Sequence, residues 1–278
     1  MLRSRARGER RRADVLLLSG GRRSVTGRAP VGDSNLWRRL GAESLGSAFL
    51  AAIVIGSGIA AQRLSPGDAG LELLENAAAT GAGLFALILM FGPVSGGHFN
   101  PVVSIVDAAF GGLRWRHAAA YLAAQVGGCV AGAVVANVMF SRSAISISTK
   151  DRASGAHFLS EVVATLGLVV VIFALARTGR SRSAPAAVGA YIAAAYFFTS
   201  STSFANPAIA VGRMFSDSFA GIAPSSVPSF IGAQAVGGIL AIGVIKALYP
   251  ELTPAEAADV VVPHLAASGE PIESTEVP

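Results

Sequence analysis

The sequence predicts an all-α membrane protein: six transmembrane helices plus two short re-entrant half-helices, arranged as two inverted repeats. Three observations carry this. Of 278 residues, 52% are apolar and only 14% charged, with a mean hydropathy of +0.56, where a soluble domain carries about 25% charge. Apolar runs close to the ~20 residues that cross a bilayer recur six times. Two shorter apolar stretches, each holding an Asn-Pro pair, fall in equivalent places after the second and fifth runs. The single cysteine, Cys129, excludes an internal disulfide or a multi-thiolate metal centre.

Taken in order, the spans are 42–61, 74–91, 118–140, 157–176, 184–199 and 229–248, the fifth being short. Glycines dot them, among them Gly46, Gly128, Gly132 and Gly237. Helices in lipid associate by close backbone approach at small residues, so these glycines are read as packing positions. The interrupted stretches are 94–109 and 204–222. Short, Pro-interrupted apolar segments in matching positions of two halves point to a site at the membrane midplane. Glu43 opens the first span and Glu161 the fourth, and an odd number of spans per half inverts the second half.

Charge divides the chain further. Residues 1–40 hold eleven Arg and three acids; residues 251–278 hold six acids and no Lys or Arg. The first is read as a disordered cytoplasmic arm, the last as a disordered acidic cytoplasmic tail, and 41–250 as the membrane-embedded domain, with halves at about 41–140 and 157–250. An Arg-rich arm attracts phosphate, but it carries few aromatics and no nucleic-acid-binding module, so no nucleic-acid partner is expected. The loops tie at five basic residues on each side, and the arm decides the orientation: both termini cytoplasmic, in the cell's inner (plasma) membrane.

Asn is a strong helix N-cap, and Pro is favoured at the first helical position. Asn100-Pro101 and Asn206-Pro207 each predict the start of a short helix. An Asn oxygen can cap backbone N–H groups while its NH2 points outward as a donor. Irregular backbone at membrane depth survives where it is buried or lines a water-filled cavity. Two half-helices meeting N-terminus to N-terminus present positive ends that repel cations and protons. The carbonyls before each Asn supply acceptors. This describes a pore for small neutral polar molecules.

The residues now resemble those of the aquaporin, or major intrinsic protein, family. Ser95-Gly96-Gly97-His98-Phe99-Asn100-Pro101-Val102 is similar to its first Asn-Pro-Ala box, with Val102 in place of Ala, and Phe204-Ala205-Asn206-Pro207-Ala208 to its second. Glu43, Glu161 and Gln125-Val126-Gly127-Gly128 also match, and the likeness covers about 41–250. It implies six tilted helices, two half-helices and a homotetramer in lipid with one pore per subunit.

The resemblance breaks where typical members carry Arg directly after the second box: here stands Ile209. By the family's spacings the other constriction positions are Thr80, Ala194 and Ser203. Arg213 lies one turn beyond Ile209, either reaching the pore mouth or standing at the membrane surface. Without Arg and His the opening is wider and suits a bulkier neutral hydroxylated solute. Ser200-Ser201-Thr202-Ser203-Phe204-Ala205-Asn206-Pro207 followed by a non-Arg residue resembles bacterial aquaporins associated with arsenic resistance, which implies metalloid hydroxides such as arsenite as well as water.

Two alternatives stand beside this. One is a water or glycerol channel; the other is a proton-coupled secondary transporter using Glu43 or Glu161 as the coupling carboxylate. The preferred role of both glutamates is structural, accepting hydrogen bonds from the adjacent loop backbone. His98 is read as a structural hydrogen bonder and Cys129 as packing. No nucleophile–base set, phosphate loop or metal-ligand cluster is present, so no enzyme and no cofactor are expected.

Overall fold

The computed structural model describes residues 36–250 together with Thr253 and Pro254. Among the described residues eight α-helices follow one another: α1 Leu36–Leu64, α2 Ala69–Ser95, α3 Pro101–Ala109, α4 Trp115–Met139, α5 Gly155–Arg177, α6 Ala184–Phe198, α7 Pro207–Arg213 and α8 Val227–Leu248. Five are long and apolar enough to cross a membrane. The exception among the six long ones is α6, with 15 residues. A 3-10 turn at Ser181–Ser183 precedes it directly, and together they rise about 28 Å, close to the hydrocarbon thickness. Six crossings place Leu36 and Leu248 on one side, called here the near side.

The first helix begins earlier than the sequence predicts, because residues 36–40 belong to α1 rather than to the basic arm. Leu36 and Leu40 pack against Ala108, Leu113, Ala118 and Tyr121. Arg39 donates from Nε to the Tyr121 hydroxyl at 2.7 Å and lies over its ring. Apolar side chains and a snorkelling arginine thus extend the helix beyond its most apolar stretch. The remainder of the arm and most of the acidic tail lie outside the described residues.

The two halves pack by one rule, applied twice. In the first half, α4 crosses α1 so closely that a Cβ on Gly128 or Gly132 would strike the carbonyls of Ser44 and Ala48. In the second, α8 crosses α5, and a Cβ on Gly237 would sit 2.6 Å from the Val162 carbonyl. Gly128 lies three residues after Gln125, and Gly237 three after Gln234. Ser44 follows Glu43 as Val162 follows Glu161. The small residues therefore have the packing role read from the sequence.

Candidate functional site

The geometry is set by two loops that run in from opposite sides, at 96–100 and 201–206. Each is held by one buried glutamate. Glu43 accepts from the Ser95 hydroxyl (2.6 Å), the backbone N–H groups of His98 (3.0 Å) and Phe99 (2.8 Å), and Gln125 Nε2 (2.7 Å). Glu161 accepts from the Ser201 hydroxyl (2.6 Å), the N–H groups of Phe204 (2.8 Å) and Ala205 (2.8 Å), and Gln234 Nε2 (2.7 Å). The two sets match residue for residue. Their work is visible in the backbone, where Phe99 and Ala205 sit at φ 48° and 45°. Such left-handed conformations cost about 1–3 kcal/mol each at non-Gly residues and persist only where the surroundings enforce them. Eight hydrogen bonds from two carboxylates do the enforcing.

These turns aim Asn100 and Asn206 at each other. Asn100 Oδ1 accepts from the Val102 N–H at 3.0 Å. Asn206 Oδ1 accepts from Ala208 (3.0 Å) and Ile209 (3.3 Å). Pro101 and Pro207 occupy the first helical positions. The amides differ from the sequence expectation in one respect. Asn100 Nδ2 donates to the Ala205 carbonyl and Asn206 Nδ2 to the Phe99 carbonyl, both at 2.7 Å. One proton of each amide therefore ties the two loops together, and two carbonyls of the expected acceptor ladder are occupied. An sp² amide has two N–H bonds, so each Asn keeps one donor for the space between the helices.

That space is a cavity of about 600 Å³, open solvent at its mouth included, bordered by both Asn residues. Its walls are mostly aliphatic: Leu50 and Val54 of α1, Leu84 and Ile88 of α2, Leu168 and Ile172 of α5, Val188 and Ile192 of α6. Val102 and Ala208 are buried beside the Asn-Pro turns and do not border the cavity. Gly97, His98 and Val103 line the near half. His98 Nδ1 lies 3.0 Å from the Ser104 hydroxyl, and Nε2 lies 3.6 Å from Asp107.

Towards the far side the structure brings Thr80, Ser203, Ile209 and Arg213 to one cavity wall. Thr80 Oγ1 is 3.1 Å from the Tyr196 hydroxyl. Among the described residues the Ser203 hydroxyl has no hydrogen-bond partner. Ala194 is placed differently. It is exposed on the outer face of α6, while Val188, Ile192 and Tyr196 line the cavity. Two residues are about 200° of helix rotation, which puts Ala194 on the opposite face. The gap-free spacing from Asn206 therefore misses the lining residue, which is Tyr196. Its signal was present in the sequence as a polar aromatic at four-residue spacing from Ile192 and Val188.

Arg213 is buried rather than at the membrane surface. Its guanidinium lies over the Phe204 ring, 3.5 Å from the centroid, and its Nε donates to the Ala220 carbonyl. Beside it, Arg152 donates from Nε to the Gly221 carbonyl (2.8 Å) and from Nη2 to that of Phe219 (3.1 Å). Arg152 also lies over Phe204, at 5.3 Å. Lys150 Nζ donates to the same Phe219 carbonyl at 3.0 Å. Burial and the two neighbouring guanidiniums push Lys150 down to about 8, and burial holds Arg152 at about 10. Neither Lys150 nor Arg152 was singled out as a site residue in the sequence, where both read as ordinary loop charges.

A model of the major intrinsic protein family matches residues 31–212. The chain is 46% identical over 220 residues to aquaglyceroporin AqpS of Rhizobium meliloti (strain 1021), covering 79% of this chain and 94% of that protein. It is 30% identical over 173 residues to aquaporin NIP6-1 of Arabidopsis thaliana, covering 60% of this chain and 55% of that protein. Among solved structures, the aquaglyceroporin from Plasmodium falciparum matches with a TM-score of 0.59 at 21% identity, over 77% of this chain and 98% of that one.

Proposed function

Since the chain belongs to the major intrinsic protein family of membrane channels, we propose that its axial cavity passively conducts small neutral hydroxylated solutes, metalloid hydroxides such as arsenite among them, as well as water. The observation that carries this reading is the constriction: Ile209 directly follows the second Asn-Pro-Ala, and hydroxyls of Thr80, Tyr196 and Ser203 share the lining with it. A wall with hydroxyls on one part and aliphatic carbon on another suits a polyol or a neutral trihydroxide better than a single file of water. Arg213 keeps one guanidinium in the wall, which together with the positive ends of α3 and α7 disfavours cations and protons. The name of the Rhizobium relative, aquaglyceroporin, supports the glycerol side of this range.

The proton-coupled reading has less support. Glu43 and Glu161 each receive four donors from their own loop and helices, and neither borders the cavity. The chain is further proposed to form a homotetramer in the inner membrane with both termini cytoplasmic. Exposed apolar side chains such as Leu89, Met139 and Ile239 suit lipid or a second copy equally.

The test is permeability to water, glycerol and arsenite in proteoliposomes, with Ile209→Arg beside the parent. A guanidinium there narrows the opening and adds a further cation near Arg213. Arsenite and glycerol flux fall more than water flux; equal loss of all three, or no change, contradicts Ile209 as a filter residue.

A further inference from the structure

We propose that the far mouth of the cavity is a binding site for a small oxyanion from solution, whose occupancy slows entry of neutral solutes. This rests on the channel reading above. Lys150, Arg152 and Arg213 converge on one stretch of backbone, where the carbonyls of Phe219, Ala220 and Gly221 accept from all three. One ring, Phe204, carries both guanidiniums. Among the described residues none of the three cations has a carboxylate within ion-pair distance.

The carboxylates nearby are engaged elsewhere. Glu161 is filled by its four donors. Asp151 accepts from the Ser226 hydroxyl and the Ala153 N–H. Asp217 accepts from the N–H and hydroxyl of Thr149. Glu72, on α2, accepts from the Gly67 N–H and acts on Lys150 without forming an ion pair. The cluster therefore keeps a positive charge that no direct ion pair offsets, and burial together with the two neighbouring guanidiniums lowers Lys150.

Arg213 supplies the recognition element. It is 2% exposed, its Nε is used on Ala220, and among the described residues its two Nη groups have no hydrogen-bond acceptor while the side chain borders the cavity. A planar guanidinium with free terminal N–H groups, held rigid over an aromatic ring, fits two oxygens of one oxyanion. Arg152 Nη1 also has no protein acceptor. An oxyanion seated there stands beside Phe204 and Ile209, on the route a neutral solute takes.

The probe is sulfate, which keeps its charge across the useful pH range, against chloride at matched ionic strength and osmolarity. Glycerol flux is measured in proteoliposomes of the full chain, with the salt on both faces. Sulfate lowers the flux saturably and chloride does not. Lys150→Gln and Arg152→Gln, each scaled to its own sulfate-free flux, raise the half-effective sulfate concentration about tenfold, the order set by one charge-assisted contact. Arg152→Lys, which keeps the charge, shifts it less. Equal effects of sulfate and chloride, or an unchanged half-effect in both Gln variants, overturns the site. Vesicles of phosphatidylcholine alone and with added phosphatidylglycerol give the same half-effect if the ligand is a free ion; loss of the sulfate effect with phosphatidylglycerol assigns the cluster to lipid headgroups and overturns the proposal. A chain that passes no glycerol fails the channel reading; one that passes glycerol and ignores sulfate fails only this one.

Discussion

At the scale of single residues, a carboxylate and its donors account for more than the Asn-Pro boxes do. Glu161 is fully buried and accepts from four groups, two of them backbone N–H groups of a strained turn. Glu161→Gln replaces an acceptor oxygen with an NH2 that faces those donors, so at least two buried donors lose their partners. The expected cost is about 2–4 kcal/mol in unfolding free energy, read as a lower thermal midpoint of the purified protein in detergent. The matching positions of Glu43 and Glu161 were legible because each opens the first span of its half. The cavity-lining residue on α6 was not, because counting back from Asn206 fixes a distance along the chain, whereas the lining face is fixed by helix rotation. The pair Tyr196→Ala and Ala194→Val separates the two placements. Tyr196→Ala removes a hydroxyl and a ring from the wall and changes the ratio of glycerol to water permeability. Ala194→Val, on the outer face, leaves that ratio as it is; the reverse pattern contradicts the placement.

At the scale of elements, the half-helices α3 and α7 were readable from Asn followed by Pro inside apolar segments, since capping and a fixed φ start a helix regardless of tertiary context. Their mutual tie was not readable. The Nδ2-to-carbonyl bonds link Asn100 to Ala205 and Asn206 to Phe99, pairs more than a hundred residues apart, and local sequence carries no signal for them. The loop between α4 and α5 was similarly opaque, because its charges acquire their character only when folded against 219–221. Lys150 offers a direct reading of that loop. A folded-state value of about 8, below the ordinary 10.5 of a lysine, means the proton leaves earlier in the folded chain. The neutral amine is then abundant from pH 8 upward. Of the chain's two lysines, Lys150 and Lys246, Lys150 is the one expected to label with an amine-reactive reagent at a half-maximum near pH 8, read by mass spectrometry of the digested protein. A half-maximum near 10.5 contradicts the packing of Lys150 beside the two guanidiniums.

For the whole molecule, the low charge has a different meaning from the one the sequence suggests. Ile209 in place of Arg reads as a pore stripped of charge. The fold instead returns a guanidinium to the wall from one turn further along α7, and two more cations gather above it. What remains unusual is the site directly after the second Asn-Pro, where an aliphatic side chain meets three hydroxyls. The inverted halves explain how such a cavity is held open: two glutamate clamps, two Gly-lined helix crossings and two positive helix ends face each other across it. Passive conduction of neutral solutes along that axis is the function proposed for this cavity. It is tested most directly by stopped-flow measurement of glycerol permeability in proteoliposomes with no ion gradient and with a protonophore present. The prediction is glycerol flux well above that of protein-free vesicles and unchanged by the protonophore; flux that appears only when a proton gradient is imposed would contradict the account.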